Sequence, residues 1–206
     1  MSTPASPTLL DALITRGVPD ARQGVRLGTV LLVAVLTAAA AQLSVPLPFT
    51  QVPLTLQPTI VLLGGLVLGS RLGPASQALY LCAGLAGLPV FAAAALPPGP
   101  FRLLGPTGGY LMVYPLAAFV AGYLAERGFD RSYATSLLAM LVGLAVIYGG
   151  GVLWLGLFAR VGGESAALGL GAALAAGAYP FIIPDVVKAA VAAALAPTVW
   201  RAIGRR

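Results

Sequence analysis

The chain of 206 residues has no histidine and one cysteine, Cys82. A single thiol cannot close an internal disulfide, and without a Cys/His cluster the common ligand sets for zinc and iron are missing, so no metal or other cofactor is expected. A nucleophilic Ser or Cys would also need a base other than imidazole. No G-x-x-x-x-G-K-[ST] loop occurs, which excludes ATP hydrolysis by that route. Charge is scarce: 9% of residues are Asp, Glu, Lys or Arg, against roughly a quarter in soluble domains. What fills the space is apolar. Residues of the AVILMFWYC set make up 59%, glycine contributes 26 residues, and mean hydropathy is +0.94. Such a chain is neither an ordinary soluble protein nor intrinsically disordered. At about 20 residues per crossing, it has room for six short membrane helices and reads as a single all-α integral membrane domain.

The formal charge is +6, from eleven arginines and one lysine against six acids. In a soluble protein that balance would suggest nucleic acid. Here the basic residues are thinly spread with no aromatic-interleaved patch, so the expected surroundings are membrane lipid and no nucleic acid.

Residues 1–24 form a polar, Pro-containing N-terminal segment, and 25–206 a membrane domain with helices expected at about 25–45, 54–70, 74–90, 107–125, 134–158 and 184–203. Pro46 and Pro48 end the first run, and Gly69 to Gly73 forms the short turn between the second and third. The Ala/Gly-rich stretch Ala166 to Ala178 reads as a seventh span, a re-entrant segment or an interfacial helix. The arginines arbitrate. With six spans, one side receives Arg16, Arg22, Arg26, Arg71, Arg127, Arg131, Arg201, Arg205 and Arg206, and the other only Arg102 and Arg160. That asymmetry places both termini in the cytoplasm and the connections 45–55, 91–106 and 159–183 on the outer face. A seventh span would export the C-terminal arginines. A signal peptide competes for the N-terminus, with Ala38 to Ala41 as a cleavage-like run, but the apolar stretch exceeds a usual signal core and its removal would leave five spans.

Lys188, the only lysine, stands three residues after Asp185 in Pro184-Asp185-Val186-Val187-Lys188. Positions i and i+3 share a helix face, and each ion costs roughly 3 kcal/mol near the bilayer centre. Such a pair is either a mutual staple or a contact for a ligand with N–H donors and polar oxygens. Pro184 near the start of the last helix would add unsatisfied N–H groups for anion capture. The turn Leu104-Gly105-Pro106-Thr107-Gly108-Gly109-Tyr110, with Arg102 before it, permits close backbone approach on the same face. Gln57 and Tyr80 are polar groups in hydrocarbon that need partners, from a neighbouring helix or a ligand. Ala34 and Ala38 stand four apart among small residues, a spacing for close helix packing within the chain or against another protein. Two readings from other classes use the same residues: a small intramembrane enzyme with Asp185 and Lys188 as acid and base, and an adaptor in which Ala34 and Ala38 form the interface.

The sequence resembles the BioY-type biotin transporters, the substrate-binding (S) components of energy-coupling factor transporters. The resemblance rests on Leu47-Pro48-Phe49-Thr50-Gln51-Val52-Pro53-Leu54-Thr55-Leu56-Gln57, on Leu79-Tyr80 through Gly87-Leu88-Pro89-Val90-Phe91, on Leu104 to Leu111, and on Pro184 to Lys188. It departs where the family motif often has Gly before Asp, here Ile183-Pro184-Asp185, and where glycines are common, here Ala92 to Pro100. The resemblance implies a six-helix S-component fold in a prokaryotic plasma membrane, and biotin bound in an outward-open cavity under the loops joining the first two helices and the third and fourth. It further implies that Ala34 and Ala38 dock to a transmembrane coupling (T) subunit served by two ATPases, with no catalysis by this chain. An S component for another vitamin would share the helical frame. Biotin matches the residues: Asp185 would accept from the ureido N–H groups, Lys188 would donate to the ureido carbonyl or orient Asp185, Arg102 would meet the carboxylate, and Tyr80 and Gln57 would line the pocket.

Overall fold

The computed structural model describes residues 7–14, 22–93, 98–159 and 167–204. Arg16, Arg160, Ala166, Arg205 and Arg206 lie outside the described residues. The N-terminal segment contributes more than polarity. A short helix α1 (Leu9–Ile14) starts at Thr8, whose Oγ1 accepts from the Asp11 N–H at 3.1 Å, and buries Leu10 and Ile14 against Leu68.

Helix α2 (Arg22–Gln42) is followed by a loop closed by a small antiparallel bridge in which Val45 and Leu54 exchange backbone hydrogen bonds of 2.8 and 2.9 Å. Helix α3 (Gln57–Leu85) covers the expected second and third runs. It reverses at Gly69, where φ is 81° and ψ is −176°, a conformation open to glycine and to few other residues. A Cβ on Gly73 would lie 3.0 Å from the Gly65 Cα. Eight residues of straight helix separate their ends by about 12 Å, so 57–68 and 70–85 are antiparallel arms. The expected five-residue turn shrinks to one residue because Glu126 accepts from the Ser70 N–H (2.7 Å) and hydroxyl (2.8 Å), capping the second arm at once.

The fourth run divides into α4 (Phe101–Leu104), α5 (Gly108–Met112) and α6 (Tyr114–Ala125), with the break before Pro115. Helix α6 fits closely against both arms of α3: a Cβ on Gly65 would lie 2.5 Å from the Ala118 carbonyl, and one on Gly122 would strike Gly69. Small residues at these crossings let the backbones meet. Helix α7 (Tyr133–Leu157) starts at Ser132, whose Oγ accepts from the Thr135 N–H.

Helix α8 (Leu170–Gly177) removes the seventh-span reading of the ambiguous stretch: eight residues reach about 12 Å, too short to cross a bilayer, and the helix packs on α7 with Leu170 and Ala173 at Gly156. The last helix differs from expectation. Helix α9 (Tyr179–Ala192) begins five residues before 184, with Pro180 in its first turn, and α10 (Leu195–Gly204) follows a break. Pro184 is therefore interior, and the anion-capturing helix start expected beside Asp185 lies a turn and more away. By length and composition, Arg22–Gln42, Gln57–Leu85, Tyr133–Leu157 and Tyr179–Gly204 can each cross a membrane, and Tyr114–Ala125 is apolar but shorter.

The two ends of the bundle differ. One gathers Arg26 paired with Asp11 (2.8 Å), Ser70 with Glu126, and a fully buried Asp130 that accepts from Trp200 Nε1 at 2.5 Å. Arg131 lies 3.3 Å from Asp130 and stacks its guanidinium on the Trp200 ring. Burial pushes the Asp130 carboxyl above its ordinary value, opposed by the Trp200 hydrogen bond and the Arg131 charge. The loop after α2 and the segment 86–93 after α3 meet at the other end, beside a cavity.

Candidate substrate-binding site

The cavity is partly open to its surroundings. Its walls come from the loop after α2 (Val52 to Thr55), the start of α3 (Gln57, Pro58), the strap after α3 (Phe91 to Ala93), Arg102, α5 and α6 (Tyr110, Leu111, Tyr114), α7 (Ile147, Tyr148) and α9 (Phe181, Asp185). Most of this surface is apolar or aromatic, with a few polar groups, the pattern of a small-molecule site.

Asp185 is the acidic residue of that wall, with its side chain 6% exposed. Its Oδ1 accepts from Lys188 Nζ at 2.8 Å and its Oδ2 from the Tyr148 hydroxyl at 2.7 Å. Lys188 Nζ also donates to the Thr55 carbonyl at 2.8 Å. A carboxylate offers about four lone-pair sites, so two donors hold the group in place and leave it able to accept more. Lys188 is absent from the cavity wall. The i, i+3 spacing brings it onto Asp185 from behind, and of the two roles expected for it, orienting Asp185 is the one this placement matches.

Gln57 lines the cavity and donates through Nε2 to the Tyr80 hydroxyl at 2.6 Å; Tyr80 in turn donates to the Val90 carbonyl at 3.2 Å. Tyr80 was expected on the wall and stands one layer behind it. Phe91 occupies the wall in front of Tyr80, its ring edge-on at 5.4 Å and 83°. The cause is Gly84, where a Cβ would collide with the Phe91 ring. Arg102 reaches the cavity, donates to the Ala92 carbonyl at 2.8 Å, and buries an Nε that has no hydrogen-bond partner among the described residues.

The glycine-rich turn does what close approach requires. Side chains on Gly108 and Gly109 would collide with Leu103 and Trp154 respectively. The Tyr110 ring fills the space a side chain on Gly151 would need, and its hydroxyl donates to the Gly177 carbonyl at 2.7 Å. Ala34 is 6% exposed and packs in the core of this chain, while Ala38 is half-buried against the same core. Sequence reasoning missed Tyr148, the second donor to Asp185. Its signal was the one that singled out Tyr80, a hydroxyl inside an apolar run that must find a partner.

Comparison with known proteins adds four findings. The sequence model of the BioY family matches residues 16–205. A Pyrococcus horikoshii protein named "Probable biotin transporter BioY" is 44% identical over 167 residues, 81% of this chain and 91% of that one. The "Biotin transporter BioY" of Thermotoga maritima is 38% identical over 152 residues, 74% and 83% of the two chains. Among solved structures, an S-component for biotin from an ECF-type ABC transporter superposes with a TM-score of 0.73, covering 90% of this chain and 95% of its own at 23% identity. The fold is thus the S-component fold.

Proposed function

This chain belongs to the BioY family, and from that premise we propose that it is the biotin-binding S component of an energy-coupling factor transporter in a prokaryotic cell membrane. It is a multi-pass transporter subunit and not an enzyme. The observation that carries the reading is Asp185: a carboxylate fixed by Lys188 and Tyr148, with acceptor capacity left over, on the wall of an otherwise apolar cavity.

Biotin offers two ureido N–H donors, an apolar bicycle and a carboxylate. The ureido N–H groups bond to Asp185, whose negative charge strengthens both bonds. Gln57 keeps a second amide hydrogen beyond the one given to Tyr80 and can serve the ureido carbonyl. Phe91, Tyr110 and Phe181 cover the bicycle. Arg102 takes the carboxylate with the guanidinium hydrogens not engaged on Ala92, including the unpartnered Nε–H. Tyr80 supports Gln57, and Lys188 supports Asp185.

In the bilayer, the arms 57–68 and 70–85 count as separate crossings and α5 with α6 as one, giving six. The arginine-rich end faces the cytoplasm and the cavity faces outward. The short arm 57–68 requires tilt or local thinning. With no phosphate-binding loop of its own, the chain draws transport energy from two partner ATPases through a transmembrane coupling subunit. Of the two alanines assigned to docking, Ala38 is the one a partner helix can touch without displacing the chain's own packing.

Calorimetry on the detergent-purified protein tests the assignment. Biotin is expected to bind and to raise the thermal transition by mass action, with thiamine doing neither. Folded, monodisperse protein that ignores biotin overturns it.

A further inference from the structure

The strap 89–92, which carries Phe91 into the cavity wall, has no regular secondary structure, yet each of its four carbonyls is claimed by a side chain. Gln42 Nε2 shares its two hydrogens among the Pro89 and Phe91 carbonyls at 3.3 and 3.4 Å and the Ala38 carbonyl of its own helix at 3.3 Å, Tyr80 donates to Val90 at 3.2 Å, and Arg102 donates to Ala92 at 2.8 Å. Two of these donors report to the ligand site directly, since Arg102 lines it and Tyr80 holds Gln57. Gln42 does not. It sits at the C-terminal end of α2, exposed, on the far side of the strap from the ligand.

Behind the strap lies a second, partly open cavity whose lining includes Gln42, Leu88, Pro89, Phe91, Ala93 and Arg102. It shares Phe91, Ala93 and Arg102 with the binding cavity, so the strap around Phe91 separates two spaces. The strap has room to move outward, and Gln42 is the group that ties it to α2 across that space.

We propose that Gln42 is a positioning residue for ligand retention: its amide latches the strap to α2, keeps Phe91 over the bound ligand, and makes the rate of release depend on how α2 sits against the strap. The proposal rests on the biotin-binding reading above. The latch contacts no ligand, so it acts on the closed state's lifetime more than on encounter. The bonds are long, the one to Pro89 is exposed, and the Ala38 carbonyl competes for the same amide, which keeps the latch weak enough to open.

The test is dissociation of labelled biotin from the full chain in detergent, comparing wild type, Gln42→Leu and Gln77→Leu. Gln77 donates to Thr37 on the same α2–α3 seam, at 3.3 Å, away from both cavities, and serves as the control for a generally loosened seam. Gln42→Leu is expected to raise koff roughly fivefold with kon and the ligand-free thermal transition unchanged, while Gln77→Leu leaves koff at the wild-type value. A koff within 1.5-fold of wild type in Gln42→Leu overturns the latch, as does an equal rise in Gln77→Leu. Absence of biotin binding by wild type instead overturns the functional reading itself.

Discussion

Replacing Asp185 by Asn keeps the shape of the side chain and removes its charge, and the surroundings dictate how the amide must sit. Lys188 can only donate, so the amide oxygen has to face it; the NH2 then turns to Tyr148, whose hydroxyl can accept as well as donate. Both neighbours stay within hydrogen-bonding distance and the fold survives. The ligand is treated differently. Wild-type Asp185 can accept both ureido N–H groups as charge-assisted bonds of about 1.5–3 kcal/mol each, whereas the Asn oxygen has one site left for a neutral bond of about 1 kcal/mol. The difference is about 2–5 kcal/mol, or a Kd weakened roughly 30- to 4,000-fold. Calorimetry with biotin reads the loss directly, and the ligand-free thermal transition confirms folding. A Kd within threefold of wild type in a folded Asn variant refutes the reasoning, because the carboxylate would then not face the ligand. If Lys188 acts through Asp185, then Lys188→Met combined with Asp185→Asn should cost far less than the two single losses summed.

Gly84→Ala should push the Phe91 ring into the cavity, an overpacking worth about 1–3 kcal/mol; a lower thermal transition and roughly tenfold weaker biotin binding are expected, and unchanged values for both would show that Phe91 has another place to go. Asp130 has a carboxyl pKa raised by burial above its ordinary 3.8, so the folded state holds its proton where the unfolded state has lost it, and the stability this contributes is present at low pH and lost as pH rises from about 3.8 through the raised value. Asp130→Asn is therefore expected to gain stability relative to wild type as pH rises from 4 to 7 in thermal melts; a pH-independent difference would contradict it. In a Cys82→Ser background, Phe49→Cys, at a position 64% exposed in the loop after α2, should react with an impermeant maleimide on intact cells, while Arg127→Cys, also at an exposed position, reacts only after lysis. The reverse pattern inverts the topology.

The runs of apolar residues located most of the helices to within a few residues, because hydrocarbon imposes length and composition on anything that crosses it. Asp185 and Lys188 were legible for the same reason: two ions three residues apart in an apolar run need each other or a ligand. The start of α9 was not legible. Pro184 looks like a helix start in isolation, but Pro180 occupies the first turn and α8 delivers the chain to it. Tyr148 meets Asp185 across 37 residues, and nothing local to either residue encodes that pairing. Tyr80 went to the second layer because of an absence, the missing side chain of Gly84, which only the packing of Phe91 reveals.

A common logic connects these polar residues. Irregular backbone at membrane depth is tolerated only where its carbonyls and amides are satisfied by the protein itself, and a ligand cavity inside a helical bundle requires irregular backbone to wall it. Here the donors are side chains: Lys188 on Thr55, Tyr80 on Val90, Gln42 on Pro89 and Phe91, Arg102 on Ala92, Trp154 on Gly105, and Tyr110 on Gly177. Each ends on a carbonyl of a loop or helix terminus near the cavity. A polar residue in an apolar span of this chain is thus spent first on holding the walls, which is why Tyr80 and Lys188 stand behind the cavity surface. Asp185 is the exception among these groups, because it can only accept, and the carbonyls around it offer nothing to accept from. Its donors must be side chains or a ligand, and Tyr148 and Lys188 fill half of its capacity. Asp185 lines the cavity, and under the proposed function its remaining half selects for a guest that brings N–H groups of its own.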